Sequence, residues 1–128
     1  MRQKIYLMLI ALGLCGPAYA EWVKLGSGAH FNFYVDETTL TKSKDNASAL
    51  VLYDYHSEQI GPSKERYRSS KTHYEYKCQE KIGRQTYLTR HYGPMGSLGP
   101  ASTNSAFQVW QPVKVGTVAA YIHEFICR

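Results

Sequence analysis

Apolar and polar residues alternate through most of the chain after residue 20, and this alternation predicts a sheet of short β-strands. The clearest segment is Ser70–Gln79, in which every second residue is charged or polar. Successive side chains of a strand point to opposite faces. Tyr74, Tyr76 and Cys78 are therefore predicted to lie on the buried face of one strand.

Five further strands are predicted from the same alternation and from the turn residues between them. They are Trp22–Leu25, His30–Asp36, Ala49–His56, Gln85–Tyr92 and Phe107–Gln111. Ala49–His56 carries Val, Leu and Tyr on both faces, which favours a central position in the sheet. Pro112 is expected to end the last strand, which contains Trp110.

Residues 93–106 separate the last two predicted strands and contain three glycines, two prolines and no charged residue. This composition predicts a loop of about fourteen residues. Loops of that length in a small domain are usually either functional or disordered.

After Gly116 the apolar period changes from two to the spacing of a helix, and Thr117 is placed to cap the first turn. The apolar stripe consists of Val118, Tyr121, Ile122, Phe125 and Ile126. A strand stays open as the alternative, because residues 121–127 also alternate. In a regular helix Cys127 would point away from the stripe, so we expect the helix to loosen before it.

The first twenty residues, Met1–Ala20, are typical of a secretory signal peptide. A basic start leads into the apolar run Ile5–Cys15, and Ala18 and Ala20 supply the small residues at positions −3 and −1. We expect cleavage between Ala20 and Glu21, which leaves residues 21–128 as one domain.

Two alternatives to a cleaved leader were weighed. A membrane anchor is disfavoured because the apolar run has about half of the ~20 residues that a spanning helix needs. Leu12–Cys15 resembles the outline of a lipoprotein motif, which would place a lipid on Cys15. Such motifs normally have Gly, Ala or Ser where Leu14 stands, so we expect no lipid there.

The mature chain is only mildly basic. Without Arg2 and Lys4 it has 13 Lys and Arg against 10 Asp and Glu, a net charge of +3. This charge is too small to indicate nucleic-acid binding. It points weakly to anionic envelope polymers, host surfaces or acidic proteins as partners.

Two cysteines, Cys78 and Cys127, remain after the leader is removed. In an oxidising compartment such a pair is most simply one disulfide. A reactive thiol pair and a metal site are the alternatives. The spacing argues against both, because there is no Cys-x-x-Cys and two thiolates alone make a poor zinc site.

Short segments along nearly the whole mature chain carry a likeness to a known family. They are Trp22–Val23, Phe33–Asp36, Thr39–Leu40, Ala49–Tyr55, Ser69–Ser70, Tyr74–Cys78, Met95–Gly96, Trp110 two positions before Pro112, and Phe125–Cys127. In this combination the chain resembles the surface-adhesin protein E family of secreted bacterial domains.

The resemblance implies an α+β fold: a single antiparallel β-sheet of about six strands with a C-terminal α-helix packed on one face. It also implies a disulfide between Cys78 and Cys127. For function it implies binding, since the family's namesake is an outer-membrane lipoprotein adhesin of a Gram-negative bacterium. That adhesin binds laminin, vitronectin, plasminogen and haem. This chain departs from it in lacking a good lipidation motif.

Residue patterns for catalysis are missing from the sequence, and we expect no enzyme activity, no cofactor and no metal. The chain has no His-Glu-x-x-His, no Gly-x-Ser-x-Gly and no phosphate-binding loop. A triad of His91, Asp54 and a serine is a combination that any strand protein permits. His56 and His73 are interpreted as solvated strand residues rather than metal or haem ligands.

The local basic segment Lys64, Arg66, Tyr67, Arg68 and Lys71 is the candidate binding site. It would contact sulfated glycans, lipopolysaccharide phosphates or acidic proteins, and binding would weaken as salt rises. The structural alternative is a solvated edge strand protected by its charges. Alternation separates Lys71 from the other cations unless a bulge at Ser69–Ser70 shifts the phase.

We therefore expect an exported, non-catalytic binding or adhesion domain that recognises host matrix or envelope macromolecules. The alternative is a soluble periplasmic inhibitor or envelope-assembly module. Protein and anionic glycan both stay open as ligands, the mature chain has no transmembrane segment by sequence, and pairing of edge strands into a homodimer stays open. Periplasm and outer cell surface are both compatible with the leader.

Overall fold

The computed structural model describes residues 21–105 and 109–128. The predicted leader, Cys15 and Phe107 lie outside these residues. Within the described part of the chain, no helix combines the length and the apolar character needed to span a membrane.

Seven antiparallel strands form one sheet, and a single α-helix follows them in the described chain. The strands are β1 (Trp22–Ser27), β2 (Phe31–Lys42), β3 (Asn46–Ile60), β4 (Arg66–Lys77), β5 (Ile82–His91), β6 (Pro100–Asn104) and β7 (Gln111–Pro112), and the helix is α1 (Val118–Ile126). The first six strands lie side by side in chain order, and β7 pairs with the start of β5. This confirms the predicted α+β fold class.

The predicted strand boundaries agree with the first five strands to within six residues, the largest difference being at the end of β2, and are wrong after β5. The predicted loop 93–106 contains β6, whose residues pair with Leu88–His91 of β5. Val109 and Trp110 lie outside the strands, and Pro112 is the last residue of the two-residue strand β7, so the strand ends at the predicted proline. Pro112 is tolerated because β7 is a two-residue edge strand, and the next amide, Val113 N, bonds to Lys81 O at 2.9 Å.

The hydrophobic core lies between α1 and one face of the sheet. Ile122 and Ile126 of the helix are fully buried, as are Val35 and Ala49 of the central strands. Tyr76 of β4 belongs to the same cluster. The alternation of β4 therefore places Tyr74 and Tyr76 on the buried face, as predicted.

Both ends of α1 are defined by specific residues. The Thr117 side chain accepts a hydrogen bond from Ala120 N at 3.1 Å, which caps the helix start as predicted. The helix ends at Ile126, and Cys127 follows as its C-terminal cap. A disulfide joins Cys127 to Cys78 directly after β4, with 5.6 Å between the two Cα atoms. The predicted pairing is confirmed.

Candidate functional site

The predicted basic site is not gathered on one edge of the sheet. Its strand, β4, lies between β3 and β5, so the interpretation of this segment as an edge strand is wrong. Lys64 lies in the turn before β4 with a left-handed backbone. Arg66 forms an exposed ion pair with Glu58 at 2.6 Å. An exposed pair of this kind contributes little to stability.

The other three residues of the segment have structural contacts. Arg68 donates a hydrogen bond from Nε to Tyr55 O at 2.9 Å. Tyr67 packs against the Arg90 guanidinium, 5.3 Å from the ring centroid. Lys71 lies on the opposite face, with Nζ 5.9 Å from the Trp22 ring. The five side chains therefore contact different neighbours, and they do not line one common edge of the sheet.

No bulge at Ser69–Ser70 shifts the phase of β4 against β3. Ser69 and Ser70 pair in regular register with Asp54 and Tyr53. The irregularity lies in β3, between Asp54 and Gln59. Ser69 and Ser70 are both buried, on opposite faces of β4.

A second candidate surface is the loop that follows β5, residues 92–99, which we call the apolar loop. It crosses the sheet face opposite α1, called here the helix-free face. Tyr92, Met95 and Leu98 are 55%, 37% and 71% exposed. Large apolar side chains exposed together on a loop commonly mark a contact surface.

Side chains from neighbouring strands anchor the apolar loop. Ser69 Oγ donates to Gly93 O at 2.6 Å and accepts from Gly96 N at 2.8 Å. Asp54 Oδ1 accepts from Met95 N at 2.9 Å. His91 Nδ1 donates to Leu98 O at 3.2 Å. The loop is thus bonded to three adjacent strands.

Asp54 and His91 among these anchors are the two residues considered above, with a serine, for a catalytic triad. Asp54, Ser69 and His91 are register partners across β3, β4 and β5. Ser69 is fully buried, and its hydroxyl bonds to the loop backbone. Asp54 and His91 likewise bond to the loop. The arrangement orders a loop and does not present an activated nucleophile.

The backbone of the apolar loop is left-handed at Met95 (φ 54°), Gly96 (φ 71°) and Leu98 (φ 62°). Non-glycine residues rarely adopt this region, and such strain is retained where surrounding contacts enforce it. Gly96 also packs closely on the sheet. A Cβ there would lie 2.5 Å from Lys71 Cε, so the end of the Lys71 side chain would have to move.

Packing of the apolar loop buries a residue on the helix-free face. Leu52 is fully buried although α1 lies on the other side of the sheet. Its strand partners are Tyr34 and Lys71. Gly96 covers it, since a Cβ there would lie 3.6 Å from Leu52 Cδ1. The loop and the sheet therefore form one packed unit.

The histidines and carboxylates of the described residues do not form a metal-binding cluster. Among residues 21–105 and 109–128, no three His, Cys, Asp or Glu side chains converge as metal ligands. His56 is exposed, as expected. His73 is half-buried, stacked on Tyr87 at 5.2 Å between centroids, and hydrogen-bonded through Nδ1 to Thr86 Oγ1 at 2.6 Å. The expectation of a solvated His73 is therefore wrong.

Burial lowers the pKa of His73 below its ordinary value, and the nearby Glu75 carboxylate opposes this shift. The unfolded chain then binds a proton more readily than the folded one. We expect His73 to support stability above about pH 6.5 and to reduce it as the pH falls toward the lowered pKa. In urea melts between pH 7.5 and 5, His73→Gln should flatten the pH dependence of the unfolding free energy.

His56→Gln is the matched control, since His56 is exposed and lies near the C-terminal end of β3. Its slope against pH should equal that of the wild-type protein. Equal slopes for the wild type and His73→Gln would show that His73 is not desolvated in solution.

Comparisons with known proteins agree with the overall fold. The family model described as surface-adhesin protein E matches residues 22–128. No curated protein gives a significant match to the sequence. The fold is similar to a structure of Haemophilus influenzae protein E, with a TM-score of 0.66, 11% identity and coverage of 89% of this chain and 90% of that one.

Two further structures of the same relative give similar values. Protein E from non-typeable Haemophilus influenzae has a TM-score of 0.66 at 13% identity, covering 89% of this chain and 81% of that one. A second crystal form of the Haemophilus influenzae protein has a TM-score of 0.63 at 11% identity, covering 86% and 96%. At these identities the likeness concerns the fold alone.

Proposed function

We propose, from the premise that the chain belongs to the surface-adhesin protein E family, that it is an exported, non-catalytic binding domain. It attaches through the apolar loop to a protein of the host matrix or of the bacterial envelope. Family membership supports adhesion in general. The choice of surface and of partner class comes from the described side chains.

The observation that carries this proposal is the order of the apolar loop. Tyr92, Met95 and Leu98 are exposed, yet the backbone between them is fixed by Ser69 and Asp54. A preordered loop loses little conformational entropy on binding. Aromatic residues and Met are also enriched in the cores of protein interfaces.

The apolar loop and the basic segment differ in the effect of salt on binding. The loop contains no Lys, Arg, Asp or Glu from residue 92 to 99. Apolar contacts are not screened, whereas contacts between exposed charges weaken as the Debye length shortens. Binding through the loop should therefore persist as salt rises, in contrast to the expectation for the basic segment.

Export rests on the leader predicted at Met1–Ala20, with cleavage before Glu21 and no lipid on Cys15. A chain released in this way is held at the cell surface only by its partner. We propose that the domain acts outside the inner membrane, and the location of its partner decides between periplasm and cell surface.

The apolar loop also fits the second candidate, a soluble periplasmic inhibitor or envelope-assembly module. Many protein inhibitors bind through loops that change little on binding. The two functions differ in the partner: an adhesin binds matrix proteins or host cells, and a periplasmic module binds proteins of its own envelope.

Replacing the apolar side chains of the loop should remove binding and leave the fold intact. We expect Met95→Asn with Leu98→Asn to weaken binding of the mature domain to immobilised laminin or vitronectin by about tenfold or more, as for loss of a central apolar contact. Asn is chosen because it tolerates the left-handed backbone better than other residues with a Cβ. Surface plasmon resonance at two salt concentrations measures the effect.

Val115→Asn is the control, because Val115 is 99% exposed and lies before α1, away from the loop. It should bind as the wild type does. Undiminished matrix binding by a folded double variant would reject the loop as the contact. Binding of the wild type only to periplasmic envelope proteins would favour the second candidate.

A further inference from the structure

A cleft beside Trp110 is a second feature of the helix-free face. Its cavity of about 380 Å³ lies between the indole ring and the hairpin that joins β2 to β3. Among its lining residues are Trp110, Glu75, Arg84, Thr41 and Ser48. The cleft therefore combines an aromatic ring, an ion pair and two hydroxyl groups.

Two cations fix the position of the indole. Lys77 Nζ lies 4.8 Å and Arg84 Cζ 4.4 Å from the Trp110 ring centroid. Such contacts contribute about 0.5–1 kcal/mol each at partly exposed sites. Arg84 is itself oriented by Glu75, whose Oε2 accepts from its Nε at 3.3 Å and from its Nη2 at 3.0 Å.

Several cations surround the cleft. Lys77 and Arg84 lie over the indole ring, and Glu75 accepts from Arg84. Lys42 lines the hairpin wall, with its Nζ bonded to Arg128 O. On the hairpin wall, Thr41 Oγ1 and Ser48 Oγ share a hydrogen bond of 2.5 Å. Each hydroxyl keeps further capacity to donate or accept.

These groups match the chemistry of an acidic sugar. A pyranose ring has an apolar C–H face that packs on an indole, and its hydroxyls bond to side chains such as those of Thr41 and Ser48. A carboxylate on the sugar forms charge-assisted hydrogen bonds with Lys or Arg. The cavity volume lies at the lower end of the range for ligand pockets, which suits a single sugar residue.

We propose that this cleft binds one acidic sugar residue, a uronic or sialic acid, with its ring against Trp110 and its carboxylate beside Lys77 and Arg84. The cleft is separate from the apolar loop. Glu75 lies six residues along β4 from Ser69, about 20 Å at the rise of a strand. Failure of either proposal therefore leaves the other intact.

Fluorescence of Trp110 tests the proposal directly. The chain has two tryptophans, so Trp22→Phe leaves Trp110 as the single indole of the protein. In this background, titration with methyl β-glucuronide should change the emission in a saturable way. Methyl β-glucoside, which carries a neutral hydroxymethyl group in place of the carboxylate, should bind about tenfold more weakly, as for loss of one charge-assisted contact.

Two variants separate the carboxylate contact from the cavity itself. Lys77→Gln should weaken glucuronide binding about tenfold and glucoside binding by a clearly smaller factor, because Arg84 still lies over the indole ring. Ser48→Leu fills the cleft from the hairpin wall and should abolish binding of both sugars. Lys24→Gln is the charge-matched control, since Lys24 lies exposed on β1. Thermal melts confirm that each variant is folded.

Several outcomes would overturn the proposal. They are equal binding of the two sugars, no response to either, saturable binding that survives in folded Ser48→Leu, and an equal loss in Lys24→Gln and Lys77→Gln. If Lys77→Gln does not fold, Ser48→Leu together with the comparison of the two sugars decides the question.

Discussion

Loss of the Cys78–Cys127 disulfide is expected to lower the free energy of unfolding by about 4 kcal/mol. The bond closes a loop with a sequence separation of 49 residues. On the entropic account, a cross-link of this span restricts the unfolded chain by about that amount. It also joins the end of α1 to the end of β4, so its loss releases the helix that covers the core.

The measurement is a thermal melt of Cys127→Ser and of the double variant Cys78→Ser, Cys127→Ser. Since 1 kcal/mol shifts Tm by about 4–8 °C in a domain of this size, we expect a loss of about 15 °C or more. The double variant separates loss of the bond from effects of a free thiol. Titration of two free thiols in the native, unreduced protein would contradict the disulfide itself.

The second large effect concerns Leu52, on the face that lacks a helix. We expect Leu52→Ala to cost about 2–5 kcal/mol, the range for large-to-small changes in a packed core. Leu52 is fully buried, between Tyr34 and Lys71 and under Gly96. Urea denaturation of the mature domain measures the loss.

Leu50→Ala is the matched control, because Leu50 lies two residues away on the same strand and the same face but is only half-buried. It should cost clearly less, since less apolar surface returns to water. Equal losses for the two variants would mean that the apolar loop does not cover Leu52 in solution. That result would also weaken the proposed binding surface.

The sequence predicted the elements whose pattern is local. The period of two in Ser70–Gln79 identified β4 and its buried tyrosines, because a strand alternates its faces whatever lies beside it. The helical stripe and Thr117 identified α1, because both the amphipathic period and the cap act within a few residues. The family resemblance, which the family model confirms, added the order of these elements.

The strands after β5 could not be predicted in the same way. Pro100–Asn104 has no apolar alternation, and β6 exists because its backbone pairs with Leu88–His91. Pro112 is the last residue of β7, and the edge position of this strand leaves no further partner that would need the missing N–H. Edge strands of this kind depend on a neighbour and not on their own side chains.

Whether the basic segment forms one surface could not be predicted from the sequence, for a related reason. A cluster of cations in the sequence is a cluster in space only if the strand is exposed and regular, and β4 is internal, opposite an irregular part of β3. The sequence shows that residues 93–106 carry no charge. It does not show that the backbone of the apolar loop is held in place, because the anchors Asp54 and Ser69 come from two other strands.

The sequence by itself determined the secondary structure up to β5, the helix, the disulfide and the family, since these depend on local periodicity, cysteine count and short motifs. Only the tertiary structure decided which surfaces are available for binding. Leu52 is buried under the apolar loop, and Trp110 contacts Lys77 and Arg84. The side chains of the basic segment likewise contact different neighbours. Most of these contacts join residues that are far apart in the chain. The period of one strand fixes the face on which each of its residues lies, but it does not say which residues of other segments lie beside them.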